Sequence, residues 1–301
     1  LDVLRDPFYT GAAHGIVTDP LAVPGNVLGW ITGGFYGVSF GLFGFTAYQA
    51  AISTVASVAL GLPGAFVLAR FEFLGRRTLR SLTILPFVLP SIMVAVGFVA
   101  MFGRTGLLND TLGAVGLGPI EVLYTLPAII IAHAFYNAPL VTRLVTTAGE
   151  SVDRRQVESA RSMGATPLRA FRDVVLPTLL PALLTAALLT FIFTFMSFPI
   201  VMALGGLELA TVEVWIYDRV QSLNISEAAT LATIETALSL GLMYLYLRYE
   251  ARQRTAGGAG QSLPRMALLR GIDTRRSPVR LAVLVYGLLA AVVFIGPLAS
   301  L

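Results

Sequence analysis

Long apolar runs alternate along this chain with short charged stretches, and that alternation sets its secondary structure. Runs long enough to cross a hydrocarbon core of about 30 Å lie near residues 44–69, 81–103, 122–148, 178–204, 228–248 and 281–301. Each predicts a helix, because within lipid only helices and closed barrels satisfy their backbone groups, and barrel strands would alternate in shorter pieces. Pro86 and Pro90 predict a bend in the second run. Val27–Phe45 is apolar as well, but Gly29, Gly33, Gly34, Gly37, Gly41 and Gly44 make it a poor helix former. It reads as a loop with short helical pieces, with Trp30, Phe35 and Tyr36 at headgroup level. The pattern predicts an all-α membrane protein, a polytopic helical bundle.

Composition agrees, with 56% hydrophobic residues, 13% charged residues and a mean hydropathy of +0.78. All 21 basic residues are arginine, and they orient the bundle. Eighteen of them lie between spans one and two, three and four, or five and six; Arg5, Arg104 and Arg219 fall on the other side. The positive-inside bias puts those arginine-rich loops in the cytoplasm. It also accounts for the basic pI of 9.6 without a nucleic-acid partner. Cysteine is absent, which excludes disulfides and thiol chemistry. No G-x-x-x-x-G-K-[ST] phosphate loop occurs, His14 and His133 stand in no metal-ligand spacing, and no Ser/His/Asp set assembles. The sequence therefore predicts no catalysis and no cofactor of its own.

The organisation expected is an extracytoplasmic N-terminal segment (1–43), a transmembrane domain (44–250), a cytoplasmic linker (251–280) and a final helix (281–301). The linker is marked by TAGGAGQSLPR and GIDTRRSP, compositions typical of flexible boundaries. The final run reaches Leu301 and reads as the first helix of a second half.

One charged stretch has its own local logic. Between spans three and four, Val157 to Pro177 reads VESARSMGATPLRAFRDVVLP. Asp153 suits a helix N-cap, with Gln156 answering it as in a capping box. Gly164 suits the C-terminus of that helix, and Thr166-Pro167 reads as a second start. Pro177 is expected to interrupt the chain just before it re-enters an apolar run. Two short helices joined by a glycine turn are predicted, the second with Leu168, Phe171 and Val175 on one face. Arg154, Arg155, Arg161, Arg169 and Arg172 keep the segment in water or against a polar partner. On these features alone it is either a docking element or a basic loop on phospholipid headgroups.

The spacing narrows this. Glu158-Ser159-Ala160, three residues, Gly164, nine residues and Val174-x-Leu176-Pro177 resembles the coupling motif E-A-A-x3-G-x9-I-x-L-P of prokaryotic ABC importer membrane subunits. Ser159 replaces the first Ala and Val174 replaces Ile. The resemblance implies a type I ABC importer permease, multi-pass in a prokaryotic cell membrane, with a cytoplasmic coupling loop over 150–177. It implies that ATP is bound by partner ATPase subunits and that an extracytoplasmic solute-binding protein delivers the solute. Glu158 would then contact the ATPase, Ala160 allow close approach, Gly164 make the turn and Pro177 stiffen the junction; Ser159 and Leu176 complete the motif. The layout also resembles the first half of a fused tandem permease, with the second half in the same or another chain.

The stretch LGGLELATVEVWIYDRVQSLNISEAATL, Leu204 to Leu231, is similar to thiamine-type permeases. FTAYQAAIST, LPFVLPSIMVAVGF and AHAFYNAPLVTR fit the same group and its iron(III) relatives. Thiamine is the first substrate implied and iron(III) the alternative. The rival from another class is a secondary transporter without an ATPase; the motif spacing and the lack of a charged intramembrane chain speak against it. Glu235 either lines the translocation path, as a negative site for a cationic solute, or holds two helices together as a hydrogen-bonded carboxyl. His133 and Asn137, one turn apart before Pro139, either face the path or bond helix to helix beside a kink. Thr211–Val220 predicts a short outer helix that either docks the binding protein or lies in the lipid interface.

Overall fold

A computed structural model describes residues 41–73, 76–83, 85–206, 209–254 and 266–267. The expected final helix at 281–301, most of the N-terminal segment and most of the linker lie outside the described residues, and the tandem arrangement with them. The elements in chain order are α1 (Gly41–Arg70), β1 (Phe71–Glu72), α2 (Arg76–Leu82), α3 (Leu85–Val88), α4 (Ser91–Phe102), α5 (Leu107–Ala114) and α6 (Leu126–Glu150). Beyond these come α7 (Arg154–Ser162), α8 (Pro167–Ala170), a π-helical turn (Phe171–Val175), α9 (Leu176–Phe195), α10 (Pro199–Gly205), α11 (Val212–Gln221), α12 (Ile225–Arg254) and β2 (Met266–Ala267). Among the described residues five helices are long and apolar enough to cross a membrane. β1 and β2 form one short parallel pairing, with Phe71 opposite Met266.

The α1–α6 pair is the axis of the bundle, and small residues let it close. A Cβ on Gly61 would sit 2.8 Å from the Ala138 carbonyl oxygen and from Val141 Cβ. Thr142 Oγ1 donates to the Gly61 carbonyl at 3.0 Å across the same seam. Close backbone approach of this kind drives helix association in lipid, where hydrophobicity gives no preference for helix over acyl chain. Away from the arginine-rich end, α4, α10, α11 and α12 complete a core around Phe45, Phe98, Ile129, Phe135, Leu204 and Leu231. A smaller cluster of Ala65, Val141, Val145 and Ala186 lies toward the arginine-rich end. Large apolar side chains such as Ile92, Val96, Leu184, Phe193 and Leu240 point outward, as a lipid-facing surface requires.

Two expected spans are drawn differently. The run at 81–103 is broken, with α2 and α3 preceding a helix that starts at Ser91. Pro90 takes an extended conformation (ψ 131°) at the N-cap of α4, so the prolines break the run instead of bending it. The run at 178–204 splits as well. Its helix is continuous from Pro167 to Phe195, then gives way at Met196–Phe198 to α10, which opens on Pro199. Proline lacks the N–H that an interior helical position would use, so Pro199 is well placed in the first turn of α10.

The outer helix appears as α11, with Val212, Val214 and Trp215 buried and Ile216 packed on the core. Its apolar face is covered by protein, so it does not lie in the interface as a lipid anchor.

Candidate functional site: the charged loop between α6 and α9

Local sequence builds the loop almost unaided. Asp153 caps α7, its Oδ1 accepting from the Arg155 N–H at 2.9 Å. At the other end Gly164 takes φ +85°. Its N–H donates to the Arg161 carbonyl and that of Ala165 to the Ala160 carbonyl, both at 3.0 Å. This pair of bonds is the Schellman closure, which needs a left-handed residue and so favours glycine. Thr166 Oγ1 accepts from the Arg169 N–H at 3.3 Å and Pro167 opens α8, as the sequence implied.

Pro177 behaves otherwise than expected: the helix runs through it. The preceding π-helical turn shifts the bonding, with the Leu176 N–H reaching back to the Phe171 carbonyl. Pro177 then falls in the first turn of α9, where its missing N–H costs little.

Glu158, Ser159 and Gly164 are exposed on α7 and its turn, Ala160 is half-buried, and Leu176 and Pro177 are exposed where α9 begins. Met163 (82% exposed) and Leu168 (76%) flank the glycine turn. Two large apolar side chains are thus bared beside a charged helix. Phe171 and Val175 line a cavity of about 600 Å³ between this loop, α1, α6 and α9.

Side chains that sequence reasoning missed fasten the loop to the bundle. Arg76, buried, donates through Nε and Nη2 to the Leu68 carbonyl of α1 at 2.9 and 2.6 Å. Nη2 also reaches Glu150 Oε1, on the last residue of α6, at 2.6 Å. Arg80 joins the same carboxylate at 3.0 Å. Guanidinium, carboxylate and an unpaired end-of-helix carbonyl thus tie α1, α2 and α6 together just before the loop. The arginines were legible in the sequence, but their partner, 70 or more residues away, was not.

His133 and Asn137 lie together and buried, 0% and 1% exposed. Asn137 Nδ2 donates to the His133 carbonyl at 3.1 Å and to Thr194 Oγ1 at 3.2 Å. His133 hydrogen-bonds through Nε2 to Ser197 Oγ at 2.9 Å and through Nδ1 to Ser53 Oγ at 3.4 Å. Gln49 Nε2 donates to the Thr194 carbonyl at 3.2 Å. These bonds stitch α1 and α6 to the break between α9 and α10, where helix-end carbonyls need partners. One signal in the sequence pointed there: Thr46, Gln49, Ser53 and Ser57 recur at helical spacing along one face of α1.

Glu235 stands apart, on the buried stripe of α12 with Ala228, Leu231 and Ser239. Its Oε1 has no hydrogen-bond partner among the described residues, and its charged neighbour is Glu213 of α11. Burial raises the Glu213 carboxyl above the usual carboxylate range. Among the described residues no group of three His, Cys, Asp or Glu is placed to hold a metal.

An apolar helical bundle with a broken span and a charged, glycine-turned loop at one end is the build of a membrane transport subunit. The chain belongs to the family of binding-protein-dependent transport system inner membrane components, whose profile matches residues 58–254; it is an ABC importer permease. It is 31% identical over 205 residues to the putative 2-aminoethylphosphonate transport system permease protein PhnU of Salmonella choleraesuis, covering 67% of this chain and 72% of that one. It is 32% identical over 224 residues to the thiamine transport system permease protein ThiP of Brucella abortus, covering 73% of this chain and 41% of that one. The chain thus spans less than half the length of that thiamine permease. A bacterial alginate ABC transporter, solved in complex with its alginate-bound periplasmic protein, has a chain of similar fold. Its TM-score is 0.58 at 18% identity, over 72% of this chain and 78% of that one.

Proposed function

We propose that this permease carries a small solute bearing a cationic nitrogen, with thiamine the first choice, from an extracytoplasmic binding protein through alternating access. The arginine-rich end faces the cytoplasm, where partner ATPase subunits bind ATP and grip α7. ATP-driven closure of those partners moves the helices as packed units, shutting the inner gate and opening the outer one. Glu158 faces the ATPase, Ser159 and Ala160 keep the approach close, Gly164 holds the turn, and Leu176 and Pro177 pass the motion into α9.

The observation that carries this reading is the Schellman-closed turn at Gly164 with Met163 and Leu168 bared beside it. A loop held this firmly, yet exposing apolar side chains, is suited to a protein partner rather than to water. Glu235, with an unsatisfied carboxylate oxygen, supports a cationic solute. Thiamine is a cation and 2-aminoethylphosphonate an ammonium zwitterion with an anionic phosphonate, so the relatives named for them share a cationic nitrogen and not a net positive charge. His133 and Asn137 act in this reading by holding the α9–α10 break.

The experiment is purification of the intact complex, with binding of thiamine, 2-aminoethylphosphonate and iron(III) measured on its soluble binding protein. An ATPase subunit that co-purifies with the wild type and is lost in Gly164→Arg, together with tight binding of thiamine, is the expected result. Tight binding of iron(III) alone would keep the mechanism and move the substrate. Absence of any ATPase subunit would overturn the coupling role proposed for α7 and its glycine turn.

A further inference from the structure

The cavity behind the loop has a composition unlike the rest of the surface. It measures about 600 Å³, within the range of about 300–1,000 Å³ usual for small-ligand sites. Its lining comes from the last turns of α1 and α6, from α7 and α8, and from the start of α9. Hydrogen-bonding side chains in that lining are confined to two guanidiniums, Arg70 and Arg161; the rest is aliphatic, aromatic, proline or glycine.

Neither guanidinium has a hydrogen-bond or ion-pair partner among the described residues. Arg76, Arg80, Arg104, Arg172 and Arg219 all pair with carboxylates. Arg70 is half-buried, so its charge has given up water without gaining a counter-ion among the described residues.

Position adds the second argument. Arg70 is the last residue of a membrane-spanning helix, and Arg161 lies on the loop beyond it. The charged part of the cavity is therefore at headgroup depth, and its apolar part, around Leu62, Leu179 and Leu183, lies deeper along the spans. Phe66, Phe171 and Leu176 are both lining and exposed (46%, 41% and 38%), so the rim is apolar too. An extended protein segment seated here would bring backbone N–H and C=O groups that these side chains cannot satisfy. An acyl chain brings none. Basic pockets between transmembrane helices at the cytoplasmic side are suited to anionic lipid.

We propose that one anionic phospholipid occupies this cavity, its acyl chain among Leu62, Leu179 and Leu183 and its phosphate between Arg70 and Arg161. Because Arg70 belongs to α1 and Arg161 to α7, the lipid bridges the bundle to the loop that the proposed function assigns to coupling. The binding site itself requires only that this end of the bundle meets a bilayer surface.

The test uses the intact complex in nanodiscs of phosphatidylcholine with a minor fraction of phosphatidylglycerol, either lipid carrying a photoactivatable acyl chain. Labelled peptides are mapped by mass spectrometry, and retention of the ATPase subunit is read on the same samples. Labelling over residues 59–70 and 171–183 is expected to favour phosphatidylglycerol, by about fivefold for each guanidinium. Arg70→Gln should remove about one such factor, and Ala59→Trp, at an exposed lining position, should abolish labelling by both lipids. Equal labelling by the two lipids, unchanged in both variants, would show only bulk lipid at the rim and overturn the proposal. So would cross-linking of these residues to another protein segment in place of lipid. Loss of the lipid preference with the ATPase retained counts against the lipid site alone. A complex that never holds an ATPase, with the preference intact, counts against the coupling reading alone.

Discussion

Gly164 separates two explanations of the loop, one of conformation and one of room. Its φ of +85° lies in the left-handed region, yet a Cβ built there meets nothing within 4 Å. In the chain by itself, Gly164→Ala therefore suffers only the backbone penalty, about 1–2 kcal/mol for an L-residue held left-handed. That corresponds to a factor of roughly 5–30 in the population of the closed turn. If the ATPase binds only the closed turn, its apparent affinity should fall by the same factor. Asn tolerates the left-handed region better than Ala, so Gly164→Asn should recover part of the loss despite being the larger side chain. Arg adds bulk at the same place and should lose binding altogether.

The assay is titration of purified ATPase subunit onto the three permease variants in nanodiscs, with binding-protein-stimulated ATP turnover as the second readout. An order of Gly, Asn, Ala, Arg from tightest to weakest supports the conformational account. If Asn binds more weakly than Ala, side-chain size controls the site and the argument from φ is wrong. If Ala binds like Gly, the Schellman closure is not part of the recognised surface.

Arg76→Ala, which leaves the Leu68 carbonyl uncapped and Glu150 short of one partner, should cost about 1–3 kcal/mol. The more exposed Arg80→Ala should cost less than about 1 kcal/mol; apparent melting temperatures of the two variants compare them. Gly61→Ala places a Cβ 2.8 Å from a backbone oxygen and should destabilise the α1–α6 pair by about 1–3 kcal/mol, read as a fall in melting temperature. Asn137→Leu keeps the volume but removes the bonds to His133 and Thr194; transport should fall while membrane insertion, followed by protease protection, stays normal. For Glu213, whose carboxyl is raised by burial, the folded protein keeps a proton that the unfolded chain has already lost. Stability contributed by that group therefore falls as pH rises from the ordinary carboxylate range through the raised value. Glu213→Gln should raise the melting temperature at pH 8 and change it little at pH 4; equal effects at both would show that the carboxyl is not perturbed.

Period, composition and spacing made the class of this protein legible. Spans one, three and five lie close to where the apolar runs put them, because a run of that length has no other way to satisfy its backbone in lipid. The cap at Asp153, the turn at Gly164 and the restart at Thr166-Pro167 were equally legible, since each depends on neighbours within about one helical turn. Spans two and four were drawn too smoothly. Pro90 and Pro199 announce breaks, but whether a proline bends a helix or ends it depends on what receives the freed carbonyls. Just before Met196–Phe198 the Thr194 carbonyl finds its donor in Gln49, 145 residues away in sequence.

Local chemistry thus determined which segments cross the bilayer and which loop carries the motif. Only the tertiary structure decided what those segments hold in common. Arg76 and Glu150 meet across 74 residues. Ser53, His133 and Ser197 converge from three parts of the chain, and Arg70 and Arg161 meet at one apolar cavity. The reason is physical: the period of a helix fixes which residues share a face, but in lipid the hydrophobic effect does not choose which face meets which. That choice falls to close packing at Gly61 and to buried hydrogen bonds, which exist only once the helices are side by side.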